Sequence, residues 1–193
     1  MLATIDPAVM ETMRRNGLLR EGHFVYRSGR HSAGLLDRDL LLADPGLASR
    51  MGYAIAKQFF TEHIHTVATP SIWGAGLAQW VGYFLEPKAK VVDATPRDDA
   101  LTIAEKLTGL IEGQRVLLVD NLIISGETMT KLATLVVAHG ATVIGVATLW
   151  SSGPDTIAGF DVFALLNGIY PSFTPEACPL CAAGVAPPAS VPY

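Results

Sequence analysis

The period of the hydrophobic pattern changes along this chain, and each change marks an element. Val116-Leu117-Leu118-Val119 is a run of four apolar residues and predicts a strand buried on both faces. It ends at Asp120-Asn121, turns through Ser125-Gly126, and gives way to helical spacing at Met129, Leu132, Leu135 and Val136, closing at Gly140. Asp44-Pro45 sets an N-cap before a proline at the first helical position, opening a helix through Met51, Ile55, Ala56 and Phe59. Asp6-Pro7 repeats that signal and predicts a helix to about Asn16, stopped at Gly17. A further helical pattern runs through Leu77, Trp80, Val81 and Phe84.

Residues 66–69, 89–94, 141–150 and 160–166 read as strands, and residues 22–32 as an extended piece turning at Gly29. Residues 70–74 and 95–100 read as loops, the second polar and mobile, and residues 101–110 form a weaker segment before the turn at Glu112-Gly113. The tail from Tyr170 holds six of the twelve prolines and is expected to wrap the surface. Strands alternating with helical patterns predict an α/β fold, a doubly wound parallel sheet that binds ligands at the carboxyl ends of its strands.

Composition narrows the class. The chain has 193 residues, enough for one domain with a full core, and is 50% hydrophobic and 17% charged. A net charge of −4 argues against binding a nucleic-acid backbone. No apolar run approaches a membrane span, and Asp6 and Glu11 interrupt what a signal peptide would keep apolar, so the expected location is cytoplasmic. The cysteines, Cys178 and Cys181, stand in a proline-rich tail with no second Cys or His pair near them in sequence. Two small residues packing the tail is the simplest reading, a metal site shared between molecules the alternative; no metal ligand is assigned. His23 and His31 are given no role.

The chemistry centres on the strand–turn–helix. Free N–H groups of a first helical turn attract an anion, aided by the helix dipole. Ser125, Thr128 and Thr130 offer hydroxyls, Gly126 permits close approach, and Asp120 is placed to hold ribose hydroxyls or sit beside a metal. The same pattern also describes a buried strand leading into an ordinary helix.

The stretch resembles the phosphoribosyl-pyrophosphate (PRPP) loop of the type I phosphoribosyltransferases. Asp120, Leu122, Ile123, Ser125, Gly126 and Thr128 match that pattern; Asn121 stands where the family has a second acid, and Ile124 where it has a small residue. Three further segments are similar to the orotate branch: Ser28-Gly29-Arg30-His31-Ser32, the pyrophosphate-loop position Thr69-Pro70-Ser71-Ile72-Trp73-Gly74, and the tail around Cys178-Pro179-Leu180-Cys181. Order and spacing agree from about residue 17 to residue 184.

The resemblance implies a single domain over residues 1–193, with residues 41–164 as the core, and residues 1–40 and about 165–193 as a hood and tail. It implies transfer of ribose 5-phosphate from PRPP to a pyrimidine-like base with Mg2+, in a homodimer whose mobile loop reaches across to the partner. By carry-over, Asp120 and Arg97 are catalytic. Asn121, Ile124, Ser125, Gly126, Glu127 and Thr128 hold PRPP, Ser71, Ile72, Trp73 and Gly74 face the pyrophosphate, and Arg27 and Ser28 face the base.

Several positions depart from the family. The mobile loop has Arg97 beside Asp98 and Asp99, with no lysine or histidine. Gly34-Leu35-Leu36 replaces an aromatic pair, Ser151 or Ser152 an arginine that fixes the orotate, and Trp73 a glycine, where a large aromatic is expected to pack. A catalytically weakened homologue that binds a nucleotide or sugar phosphate in a regulatory role is therefore the alternative. Restoring Asp at 121 and Thr at 124 is expected to raise PRPP affinity.

Overall fold

A computed structural model describes residues 11, 13–185 and 188–191. Strands β1 (Leu19–Val25) and β2 (His31–Leu36) form an antiparallel hairpin that turns at Gly29, whose φ of 76° is the left-handed conformation glycine adopts at no steric cost. The helix expected from Asp6-Pro7 lies mostly outside the described residues. Its end is as expected: residues 13–15 are helical, and Gly17 donates its N–H to the Arg14 carbonyl at 2.9 Å.

Helix α1 (Arg38–Ala43) was not expected from the sequence. Asp37 caps it by accepting the Leu40 N–H at 3.1 Å. Helix α2 (Pro45–Gln58) follows at once, with Asp44 accepting from Gly46 and Leu47 and Pro45 in the first turn. Strand β3 (Thr66–Thr69) leads to α3 (Ile72–Phe84), and β4 (Lys90–Asp93) follows. Residues 95–100 are not an irregular loop. They belong to a small antiparallel hairpin, β5 (Thr95–Arg97) with β6 (Ala100–Thr102), turning at Asp98 and Asp99.

A 3-10 turn (Glu105–Leu110) precedes β7 (Arg115–Ile123), α4 (Glu127–Ala138), β8 (Thr142–Ser151), β9 (Thr156–Ile157) and β10 (Phe160–Asn167). The main sheet has the order β4-β3-β7-β8-β10-β9, parallel except for the β10–β9 pair. Strand β7 is central and buried on both faces, as its unbroken apolar run predicts. Leu117 and Val119 join a core with α2 and α3, while Val116 and Leu118 join one with Met129, Leu132 and Val136 of α4. Each such buried side chain contributes about 1.5–3 kcal/mol.

The tail does more than wrap the surface. Strands β11 (Ser172–Phe173) and β12 (Ala189–Ser190) flank the hairpin in a second sheet of order β11-β2-β1-β12, and the short helix α5 (Pro179–Ala182) lies between them in sequence. Among the described residues, no helix is long and apolar enough to cross a membrane.

Candidate active site

Strand β7 carries Asp120 and Asn121 toward the carboxyl edge of the main sheet. Asp120 is half-buried, and its carboxylate accepts the Asn121 N–H at 2.7 Å. Burial pushes its pKa from 3.8 up to about 6; the Asn121 N–H and the charge of Arg38 oppose that rise without cancelling it. Arg38 opens α1, with its side chain largely covered, and lies 3.6 Å from Asp39. It is a site residue that the sequence reading missed, because only the tertiary fold brings α1 near the end of β7.

Asn121 is fully enclosed. Its Nδ2 donates to the Trp73 carbonyl at 2.8 Å, tying β7 to the first turn of α3, while its Oδ1 has no partner among the described residues. The Thr69 hydroxyl, at the end of β3, is likewise buried and unpartnered. Gly74 closes the group: a Cβ there would collide with Thr69 Oγ1 and come within 3.3 Å of Asp120 Oδ1. Gly74→Ala is therefore expected to destabilise the fold by about 1–3 kcal/mol, read by thermal melting.

Residues 72–74 form the first turn of α3 rather than a loop, and Ser71 stands at its N-cap without making a side-chain cap bond. Trp73 does not pack: its residue is 71% exposed and Ile72 is 66% exposed, so the indole fills no interior space.

The phosphate-loop residues take the expected strand–turn–helix form. Gly126 is the N-cap of α4 at φ 84° and has no side chain with which to cap that helix. A Cβ at Gly126 would press on Ile157 and Pro154 at 3.3 Å. Ile124 and Ser125 are half-buried, and Ser125 Oγ accepts the Glu127 N–H at 3.4 Å; Glu127 and Thr128 are exposed. The Thr130 hydroxyl is turned inward and donates to the Gly126 carbonyl at 3.0 Å, so it caps nothing outside the helix.

A model of the phosphoribosyl transferase domain matches residues 42–159. An orotate phosphoribosyltransferase of Thermus thermophilus is 36% identical over 178 residues, 92% of this chain and 96% of that protein. This chain belongs to the phosphoribosyltransferase family. Orotate phosphoribosyltransferase from Chlorobium phaeobacteroides is 30% identical over 93% of this chain and 92% of its own length. The crystal structure of orotate phosphoribosyltransferase from Aeropyrum pernix has the same fold, with a TM-score of 0.63 at 18% identity, covering 82% of this chain and 93% of that one.

Within this phosphoribosyltransferase the β1–β2 hairpin is tied to the sheet edge by a chain of bonds. Arg30 donates to the Ser172 hydroxyl at 2.8 Å and to its carbonyl at 2.6 Å, the Ser172 hydroxyl donates to the Ser152 carbonyl, and the Ser152 N–H donates to the Ile123 carbonyl. Arg27 and Ser28 are exposed in the hairpin turn, and Arg97, Asp98 and Asp99 are exposed on the β5–β6 hairpin. Leu35 and Leu36 are core residues. Tyr170 is buried beside this segment. Its ring covers Gly34, where a Cβ would lie 2.6 Å away, and packs on Trp150 at 5.9 Å.

Proposed function

We propose that this protein transfers ribose 5-phosphate from PRPP to orotate or a closely related pyrimidine base, a step of pyrimidine nucleotide synthesis. The observation that carries the reading is the N-terminus of α4, opened by left-handed Gly126 with no side chain at the N-cap, on the same strand–loop–helix as Asp120. The orotate enzymes named above support it through identity over nearly the whole chain.

In this reading a nitrogen of the base forms its bond to the ribose carbon as the bond from that carbon to pyrophosphate oxygen breaks. First-turn N–H groups of Glu127 and Thr128, with the Ser125 hydroxyl, hold the 5′-phosphate. Asp120 binds the ribose hydroxyls, and its negative charge opposes the positive charge that develops on the sugar. Ser71 to Gly74, at the start of α3, face the pyrophosphate. Arg97 supplies the loop cation, and Arg27 and Ser28 contact the base.

Magnesium fits the donors available, because the Asp120 carboxylate and the unpartnered Asn121 Oδ1 are hard oxygens of the kind it shares with substrate phosphates. When bound, it offsets charge on the departing pyrophosphate. The protein acts in the cytoplasm, as a homodimer. Exposed Tyr53, Phe60 and Tyr83, clustered with Phe84 on α2, α3 and the segment after α2, give an aromatic face for the second copy.

One observation favours a second reading, a phosphate-binding regulator without turnover: the exposed pair Asp98 and Asp99 repels pyrophosphate where the family has cations. Calorimetric titration with PRPP, with and without Mg2+, followed by an assay for orotidine 5′-phosphate from PRPP and orotate, separates the two. Magnesium-dependent binding with product formation supports the transferase. Ribose 5-phosphate binding without product supports the regulator, and no heat with either ligand removes both.

A further inference from the structure

The two cysteines of the tail meet the two histidines of the hairpin. His23 lies on β1, His31 begins β2, Cys178 is the N-cap of α5 and Cys181 lies within it. One donor atom from each falls within 4.8 Å of all the others. His23 Nε2 is 3.1 Å from His31 Nδ1. Cys178 Sγ is 3.5 Å from His23 Nε2, and Cys181 Sγ is 3.7 Å from His23 Nε2 and 3.3 Å from His31 Nδ1.

Those separations have a meaning in coordination chemistry. With Zn–N bonds of about 2.0–2.1 Å and Zn–S bonds of about 2.3 Å, a tetrahedral ion spaces its nitrogens about 3.3 Å apart and sets nitrogen and sulfur about 3.6 Å apart. The nitrogen pair and the three nitrogen–sulfur separations all lie within a few tenths of those values. A set of mutual hydrogen bonds has no reason to converge on one centre, since thiols are weak donors and each neutral imidazole donates from only one nitrogen. Two soft sulfurs with two imidazoles in a tetrahedron is a set that selects zinc.

Burial agrees with a closed site. Cys178 is 2% exposed and each histidine 8%, with Cys181 on the outer side. Four protein donors leave no position for a substrate, which marks a structural centre and not a catalytic one. We propose that His23, His31, Cys178 and Cys181 bind one zinc ion, which pins the C-terminal segment to the β1–β2 hairpin.

The surrounding sheet needs such a link. Its outer strands β11 and β12 have two residues each, too short to hold a sheet alone. Phe173 pairs with His31 and Ala189 with Phe24, so the ion would join the hairpin to the tail between these two short pairings. Arg30, next to His31, makes the Ser172 bonds that bring the hairpin to the sheet edge. The inference stands apart from the transferase reading, because no residue in it contacts PRPP or base in that reading.

The test begins with untagged protein purified without chelator, assayed for metal by mass spectrometry and then exchanged with Co2+. The expected result is about one zinc per chain, with a cobalt derivative showing tetrahedral ligand-field bands and thiolate-to-cobalt charge transfer. A strong chelator is expected to lower the melting temperature and open the segment after residue 170 to protease, and added Zn2+ to reverse both. Zinc content of the Cys178→Ser/Cys181→Ser variant is expected to fall at least tenfold. Metal-free protein as purified with weak Zn2+ uptake, a Cys178–Cys181 disulfide in the native protein, an octahedral cobalt spectrum, or zinc retained by the double variant would each overturn the proposal. The measurements on wild-type protein decide it even where the variant does not fold.

Discussion

Replacing Asp120 with asparagine is expected to lower kcat/KM by about 10²–10³-fold while making the ligand-free protein more stable above about pH 6. The activity loss follows from charge. In the transfer proposed above, Asp120 is the one acid in the Asp120-Asn121 pair, so its carboxylate alone would supply the negative potential that this pair can direct at a cationic transition state. Asparagine keeps an oxygen to accept the Asn121 N–H and loses that potential.

The stability gain follows from burial. The folded state holds the Asp120 proton up to about pH 6, the unfolded chain only to about 3.8. Between those values the native state binds more protons, so this group's contribution to stability falls as pH rises, and its full cost is felt above pH 6. That cost is up to about 3 kcal/mol, and each kcal/mol moves the melting temperature of a chain this size by about 2–4 °C. Melting curves of the two ligand-free proteins should converge near about pH 4 and separate up to about pH 6. A variant less stable than wild type at every pH would make Asp120 a structural residue instead.

Asn121→Asp is expected to have the opposite outcome to the one that the sequence alone supports. Read from the family pattern, an acid at 121 restores a ribose ligand. In the fold, Asn121 is a buried donor to the Trp73 carbonyl, and an ionised aspartate there meets that carbonyl lone pair to lone pair, next to Asp120. Breaking a buried pairing and leaving a charge costs about 3–5 kcal/mol. The single variant should melt some 6–20 °C lower near neutral pH, with PRPP affinity reduced as the first turn of α3 loosens. Protonation restores a donor, so the deficit should shrink on acidification, which simple loss of packing would not do. Ile124→Thr carries none of this burden and is the half of the pair to test for a gain in affinity.

The parts of the fold that local chemistry determines were legible. The uninterrupted run at Val116 to Val119 required a strand covered on both faces, and Asp44-Pro45 marked a helix start to the residue. Helix α1 was hidden because Leu40, Leu41 and Leu42 run together without a helical period, and the β5–β6 hairpin because its turn rests on Asp98 at a left-handed φ of 48°. At the site, Asp120 and the Ser125–Gly126 turn were visible. Arg38, the Trp73–Asn121 bond and the inward Thr130 hydroxyl were not, since each depends on contacts across the fold or on the rotamer chosen. The convergence of His23 and Cys178 is the extreme case, two residues 155 positions apart whose spacing carries no local signal.

The pairing of β12 with β1 joins the two ends of the described chain, Phe24 with Ala189 and Val25 with Ser190. At about 5–20 residues per second, a ribosome takes on the order of ten seconds to deliver residue 189 after residue 24. Until residue 172 is made the hairpin has both outer edges bare, and until residue 189 it still lacks a partner for β1, an invitation to pair with another chain. A chain released before residue 172 would therefore carry a complete central sheet beside an adhesive, unclosed hairpin, and quality control would meet such a fragment first at β1 and β2.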